Sequence, residues 1–298
     1  MLDSARGSAN TQHGRYTPYL FLLPALAALG LISFWPVLQA IYLSFTQYDI
    51  LSPPIWLGLE NYQRLWNDRR FWQVLGNTLI YLAVAVPLLV SLPLGLAIAV
   101  NQKLKGIHWF RVAYYVPVIV SIVVAGIAWK WVYADTGLLN YLLSGVTFQS
   151  IRIPWLTDPD IALVAIALVT VWKGLGYYMV IYLAGLQSIP ANLYEAAAID
   201  GSDGWQQHWD ITVPLMQPYI VLVSVLSSIA AMKVFEEVYV MSRGGPANST
   251  KTVVYYLYER GFSNLEMGYA AAIGTMLFII ILLLSLATVR LTDLRPPG

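Results

Sequence analysis

Five stretches of the chain, 16–48, 71–102, 112–129, 211–232 and 267–289, contain no Asp, Glu, Lys or Arg, and a sixth, 161–186, is interrupted only by Lys173. Crossing about 30 Å of hydrocarbon takes roughly 20 helical residues, so each stretch suits one crossing. Backbone N–H and C=O groups find no water at that depth, and only helices or closed barrels satisfy them. Barrel strands would alternate apolar and polar residues over about ten positions, and no such alternation is present. Composition agrees with helices in a bilayer: 58% of the 298 residues are apolar and 11% charged, against about 25% charged in a soluble domain. Soluble globular, disordered and coiled-coil classes are excluded. Lys and Arg outnumber Asp and Glu by only 17 to 16, so the basic field that nucleic acid requires is missing. With no cysteine, disulfides, thiolate nucleophiles and Cys-ligated metals are ruled out.

The expected architecture is all-α and transmembrane, with six helices near 18–45, 73–101, 110–133, 160–187, 217–241 and 267–290 in a single membrane domain spanning 18–290. Residues 1–17 form a polar N-terminal tail and 291–298 a short C-terminal one. The first apolar run is too long for a signal-peptide core and has no small-residue cleavage site, so it is read as mature structure. With both termini in the cytoplasm, each side of the membrane carries seven Lys or Arg residues. The tight turn from Lys103 to Arg111 and the short tail with Arg290 and Arg295 favour that N-in, C-in orientation, because short loops weigh most. Segments 46–72 and 134–159 mix Trp, Tyr, Pro and Asp (Trp56, Trp66, Trp155, Tyr62, Pro53), as interfacial helices at headgroup depth do.

Residues 186–218 read LQSIPANLYEAAAIDGSDGWQQHWDITVPLMQP, a pattern for two short helices joined by a turn. Ser188 is expected to cap the first, with Pro190 in its first turn and Glu195 near its positive end. Ala196, Ala197 and Ala198 form helix readily and have little side-chain volume. Gly201 supplies a left-handed stop, and Asp203 caps a second helix through Trp205 and Trp209. Pro214 and Pro218 end it before the fifth span. Such a pair could lie in a groove on another protein, or pack as an ordinary loop on its own membrane domain.

The segment resembles the EAA loop of the membrane subunits of binding-protein-dependent ABC importers: Glu-Ala-Ala, three residues, Gly, nine residues, then Ile-x-Leu-Pro. Here Glu195, Ala196, Ala197, Gly201, Ile211 and Pro214 hold those places, with Val213 where Leu is usual. Asp200-Gly201 followed by Trp205, Gly58-Leu59-Glu60-Asn61-Tyr62, Asn77-Thr78 and Gly244-Gly245-Pro246 resemble the carbohydrate branch, the permeases of maltose and glycerol-3-phosphate type. The resemblance implies a cytoplasmic coupling helix between helices 4 and 5, in an EAA loop over 188–216. It also implies two ATP-binding subunits, a second homologous permease subunit, an extracytoplasmic solute-binding protein, and a sugar or sugar-derived solute as cargo. The ATPase-coupling residues it assigns are Glu195, Ala196, Ala197, Asp200, Gly201, Ile211 and Pro214. ATP and magnesium are expected on the partner subunits and no cofactor on this chain, which contains no G-x-x-x-x-G-K-[ST] loop and is read as no enzyme. HExxH and Gly-x-Ser-x-Gly are also missing, and His13, His108 and His208 share no metal-ligand spacing.

Ionisable residues at membrane depth usually face protein or water. Lys130 and Lys173 fall near span ends, where snorkelling is the simpler account. Lys233 precedes Glu236 and Glu237 by three and four residues, so on one helix it could pair with either. These three residues support an alternative reading, an ion-coupled secondary transporter that uses them as a relay. For a sugar path the candidates are Trp172, Tyr177, Tyr178, Glu236 and Tyr239, combining aromatic rings with hydrogen-bonding groups. Lys173 and Lys233 are opposed by Glu236 and Glu237, which favours a neutral sugar over a phosphorylated one.

Overall fold

The computed structural model describes residues 17–102 and 105–293. Most of both tails, Arg6, His13, Arg15, Lys103 and Arg295 lie outside the described residues. The first span joins α1 (Thr17–Leu29) to α2 (Trp35–Leu43) through a π-helical turn at Gly30–Phe34. A two-stranded antiparallel hairpin follows, β1 (Thr46–Gln47) with β2 (Ile55–Trp56), pairing Thr46 with Trp56 and Gln47 with Ile55. After α3 (Glu60–Asn67), the second span α4 (Arg69–Val100) starts at Asp68, whose carboxylate accepts the Arg70 backbone N–H at 2.9 Å. At 1.5 Å per residue its 32 residues reach about 48 Å. Hence α4 starts four residues earlier than expected and runs the full depth of the molecule.

The stretch expected as one helix over 110–133 is two, α5 (Ile107–Ile119) and α6 (Ile122–Val132), bent by 100°. Val120 and Ser121 are extended, with ψ of 131° and 137°, just past Pro117, whose ring disfavours a continuous ladder. Each half then follows its own neighbour. Against α8 (Ala162–Ser188), α5 approaches so closely that a Cβ on Gly176 would strike the Tyr114 backbone. Gly126 of α6 lies where a Cβ would meet Val240 at 3.0 Å, on α13 (Glu236–Met241). The loop between α6 and α8 contains α7 (Leu138–Thr147).

The run expected over 217–241 is likewise interrupted. Helix α12 (Gln217–Met232) stops at Lys233, and α13 begins only at Glu236. The released Val234 carbonyl accepts from Thr252 Oγ1 at 2.8 Å. Between α8 and α12 lie α9 (Ala191–Ile199), α10 (Gly204–Gln207), a π-helical turn His208–Thr212 and α11 (Val213–Leu215). Short α14 (Val253–Tyr258), a π-helical turn Glu259–Ser263 and the last span α15 (Met267–Asp293) complete the chain. Among the described residues there are thus four unbroken candidate spans and two bent pairs.

Span α8 is the most buried and the first span the least, with no buried window at all. Tyr81, Ala85 and Leu89 of α4 and Ile166, Val169, Met179 and Tyr182 of α8 form the centre of the main core, and a second core joins Phe71 and Val74 to Tyr256, Tyr269 and Ile273. The two ends of α4 sort the connections. Asn77 near its start binds the Asn248 and Lys251 carbonyls, whereas Ile98 and Asn101 near its finish line a cavity with Tyr194 and His208.

Candidate functional site

At the Asn101 end, α8 runs straight through Ser188 and hands over to a helical hairpin. Ser188 does not cap the next helix as expected: its Oγ donates back to the Gly185 carbonyl at 2.7 Å, still within α8. Pro190 takes the N-cap position instead of the first turn. The C-terminal stop is as expected. Gly201 has φ of +86°, its N–H bonds Ala198 O at 3.2 Å, and the Ser202 N–H bonds Ala197 O at 2.9 Å, the paired bonds of a Schellman motif. Asp203 caps the second helix by accepting the Gln206 N–H at 2.8 Å.

Internal bonds brace this hairpin. Tyr194 OH and Thr212 Oγ1 are 3.0 Å apart, and Gln207 Nε2 donates to Ser202 O at 3.2 Å and Tyr194 O at 3.4 Å. Its two helices therefore hold one shape. Met216 then marks a 67° bend into α12, bracketed by Pro214 and Pro218. Glu195, Ala196, Asp200, Gly201 and Pro214 are exposed, while Ala197 and Ile211 are half-buried. Ile199 is 86% exposed and Trp205 72%, with Trp209 and Leu193 also exposed. A braced element showing this much apolar surface suits contact with another protein.

The expected path residues do not converge on one site. Trp172 packs edge-on against Trp129 with centroids 5.4 Å apart. Tyr177 is exposed, whereas its T-shaped neighbour Tyr178 is buried in the main core. Tyr239 belongs to a separate aromatic cluster with Phe235, Tyr255 and Tyr258. Glu236 points outward, and the half-buried acid is Glu237. It accepts from Thr170 Oγ1 at 3.3 Å, and Thr170 shares a 2.5 Å bond with Tyr81 OH. This three-helix network of α4, α8 and α13 has no periodic signature, because its members lie 67 and 89 residues apart.

The break at 233–235 removes the single helix on which Lys233 was expected to pair with Glu236 or Glu237. Among the described residues Lys233 makes no ion pair within 4.0 Å. Lys173 instead donates to Val118 O at 3.1 Å, satisfying a carbonyl that the α5–α6 break leaves without a helical partner.

At the other end of α4 a polar cluster ties distant segments of the chain together. Asp68 accepts Tyr256 OH at 2.5 Å and Tyr269 OH at 2.6 Å, Arg260 binds Tyr256 and Glu266, and Arg64 binds Glu266 at 2.8 Å. Burial pushes the Asp68 pKa up, but the bonds from Tyr256, Tyr269 and the Arg70 and Phe71 backbone outweigh it, so the carboxyl titrates below its ordinary range. Burial, with the Asp68 bond, raises Tyr256 to about 12.

Broken and continuous apolar helices, with a braced, exposed hairpin at one end and tied aromatic loops at the other, define a multi-pass membrane protein. The chain belongs to the family of inner membrane components of binding-protein-dependent transport systems, whose profile matches residues 66–295. A lactose transport system permease protein of Rhizobium radiobacter is 35% identical over 90% of this chain and 91% of its own length. An arabinooligosaccharides transport system permease protein of Bacillus subtilis is 35% identical over 92% and 88%. In fold the chain resembles a subunit of a bacterial ABC transporter for alginate import, with a TM-score of 0.80 over 95% of this chain and 96% of that one, at 23% identity.

Proposed function

We propose that this chain forms half of the translocation pathway of an ATP-driven importer for a neutral sugar or sugar-derived solute, and that residues 188–216 couple it to a separate ATPase. The observation that carries the reading is the hairpin: two helices fixed by the Gly201 stop and the Tyr194–Thr212 bond, presenting Leu193, Ile199, Trp205 and Trp209 outward. A part that keeps its shape transmits displacement, where a floppy loop absorbs it. Closure of two ATP-binding subunits around ATP would carry the docked hairpin and re-aim α8 and α12, which flank it. On this reading the hairpin end is cytoplasmic, giving N-in, C-in, and the Asp68 end meets an extracytoplasmic binding protein. A sister permease supplies the other half, and the exposed first span is available to it or to lipid.

The sugar class is supported by the relatives named for lactose and arabinooligosaccharides. An ion relay through Lys233, Glu236 and Glu237 finds no support in the geometry, since the three do not form one cluster.

The deciding experiment is affinity purification of the tagged chain in mild detergent, with identification of everything that accompanies it. Recovery of an ATP-binding subunit and a sister permease is expected. Gly201→Asp and Glu195→Lys are expected to abolish ATP-driven uptake while leaving membrane insertion intact. Normal uptake in both variants would sink the coupling role.

A further inference from the structure

Between the end of α6, the loop before α8 and the segment after α13 lies a cavity of about 500 Å³, at the end of the molecule opposite the hairpin. Its lining includes Lys130, Tyr133, Asp135, Trp155, Thr157 and Ser242. Tyr133 and Trp155 stack at 5.7 Å with planes 28° apart. Both rings have their polar atoms committed elsewhere: Trp155 Nε1 donates to Asn140 Oδ1 at 3.0 Å and Tyr133 OH to Ala165 O at 3.0 Å. Asn140 is 2% exposed and also binds the Ala134, Asp135 and Ile153 backbone, so the aromatic wall is held in place before anything binds. The Lys130 and Asp135 side chains, by contrast, make no hydrogen bond or ion pair among the described residues. From this wall an aromatic file continues inward, Tyr133 to Trp129 at 5.2 Å and Trp129 to Trp172 at 5.4 Å.

We propose that this cavity is an extracytoplasmic saccharide subsite, which takes a neutral sugar ring against the half-buried Trp155, held from behind by the buried Tyr133. The proposal rests on the sugar-import reading above. A sugar ring has apolar C–H faces and a rim of hydroxyls. The immobilised Trp155 indole meets one face, while an ammonium that donates and a carboxylate that accepts meet the rim. One positive and one negative group within the same lining favour a neutral polyhydroxyl ligand over an anion. The volume falls within the roughly 300–1,000 Å³ of small-molecule sites.

Because the chain has no cysteine, Thr157→Cys places a single reporter thiol on the cavity rim. The test uses the complete transporter in lipid nanodiscs, with lactose, maltotriose and arabinotriose as probes, each first assayed for import by the same preparation. An imported probe is expected to slow maleimide labelling of the thiol. Adding Trp155→Ala should raise the probe concentration needed by about tenfold, the scale of one large aromatic contact. Trp155→Phe, which keeps an aromatic face and guards against a merely misfolded alanine variant, should retain protection. Import of a probe without protection overturns the subsite and leaves the importer reading intact. Import of none of the three, with a non-sugar solute carried instead, overturns the sugar class and the subsite with it.

Discussion

Asp68 is one residue whose chemistry reaches across the molecule, because it caps α4 and gathers two tyrosines from segments nearly 200 positions away. Its depressed pKa means that its contribution to stability is present above the ordinary carboxylate value of about 4 and is lost as pH falls through the lower folded-state value. Asp68→Asn keeps an acceptor for the tyrosines but cannot ionise. Wild-type protein should therefore exceed the variant in thermal stability at pH 6, with the gap closing below about pH 4; a gap independent of pH would refute this assignment. Asn140 is a second such residue, and its side chain bonds four other residues of the segment between α6 and α8. Asn140→Ala leaves several buried groups unpaired and should cost about 3 kcal/mol, read as a lowered unfolding temperature in detergent. Gly201 and Asp203 were legible in the sequence because a left-handed stop and an N-cap are local chemistry. Asn140 and Thr170 were not, since a lone polar residue announces no distant partner.

At the scale of elements, the breaks in α5–α6 and α12–α13 carry the most meaning. Hydropathy reads both as continuous, because apolar composition is indifferent to a bend. Pro117 precedes the first break, yet Pro87 and Pro93 lie inside α4 without ending it. What separates the cases is the neighbours: α5 fits the Gly176 notch on α8 while α6 fits Val240 and Met241 of α13, and one straight helix cannot reach both. Lys173 makes the first break tolerable by bonding Val118 O. Lys173→Met should therefore destabilise the protein by about 1–3 kcal/mol through an orphaned carbonyl, measured by thermal unfolding. Lys173→Arg, which still donates, should recover part of the loss. If Lys173 merely snorkelled, the methionine variant would be neutral.

Over the whole molecule, α4 acts as a ruler with the 188–216 hairpin at its end and the tied aromatic loops at its beginning. The cysteine-free background allows a direct check of sidedness. A membrane-impermeant maleimide applied to intact cells should label Thr157→Cys and leave Asp203→Cys unreacted until the membrane is opened. The reverse pattern would invert the orientation. By itself the sequence determined that the chain crosses a bilayer several times as helices, that it holds no nucleotide loop, and that 188–216 forms a helical hairpin with a glycine stop. Hydrophobic run length, motif absence and cap chemistry are all properties of neighbouring residues, so they survive without a fold. Only the tertiary structure decided where the apolar runs bend, that Glu237 rather than Glu236 turns inward, and that Trp155, Tyr133, Trp129 and Trp172 stand in file. Those outcomes depend on which surfaces meet across long stretches of chain, and packing between distant helices leaves no periodic trace.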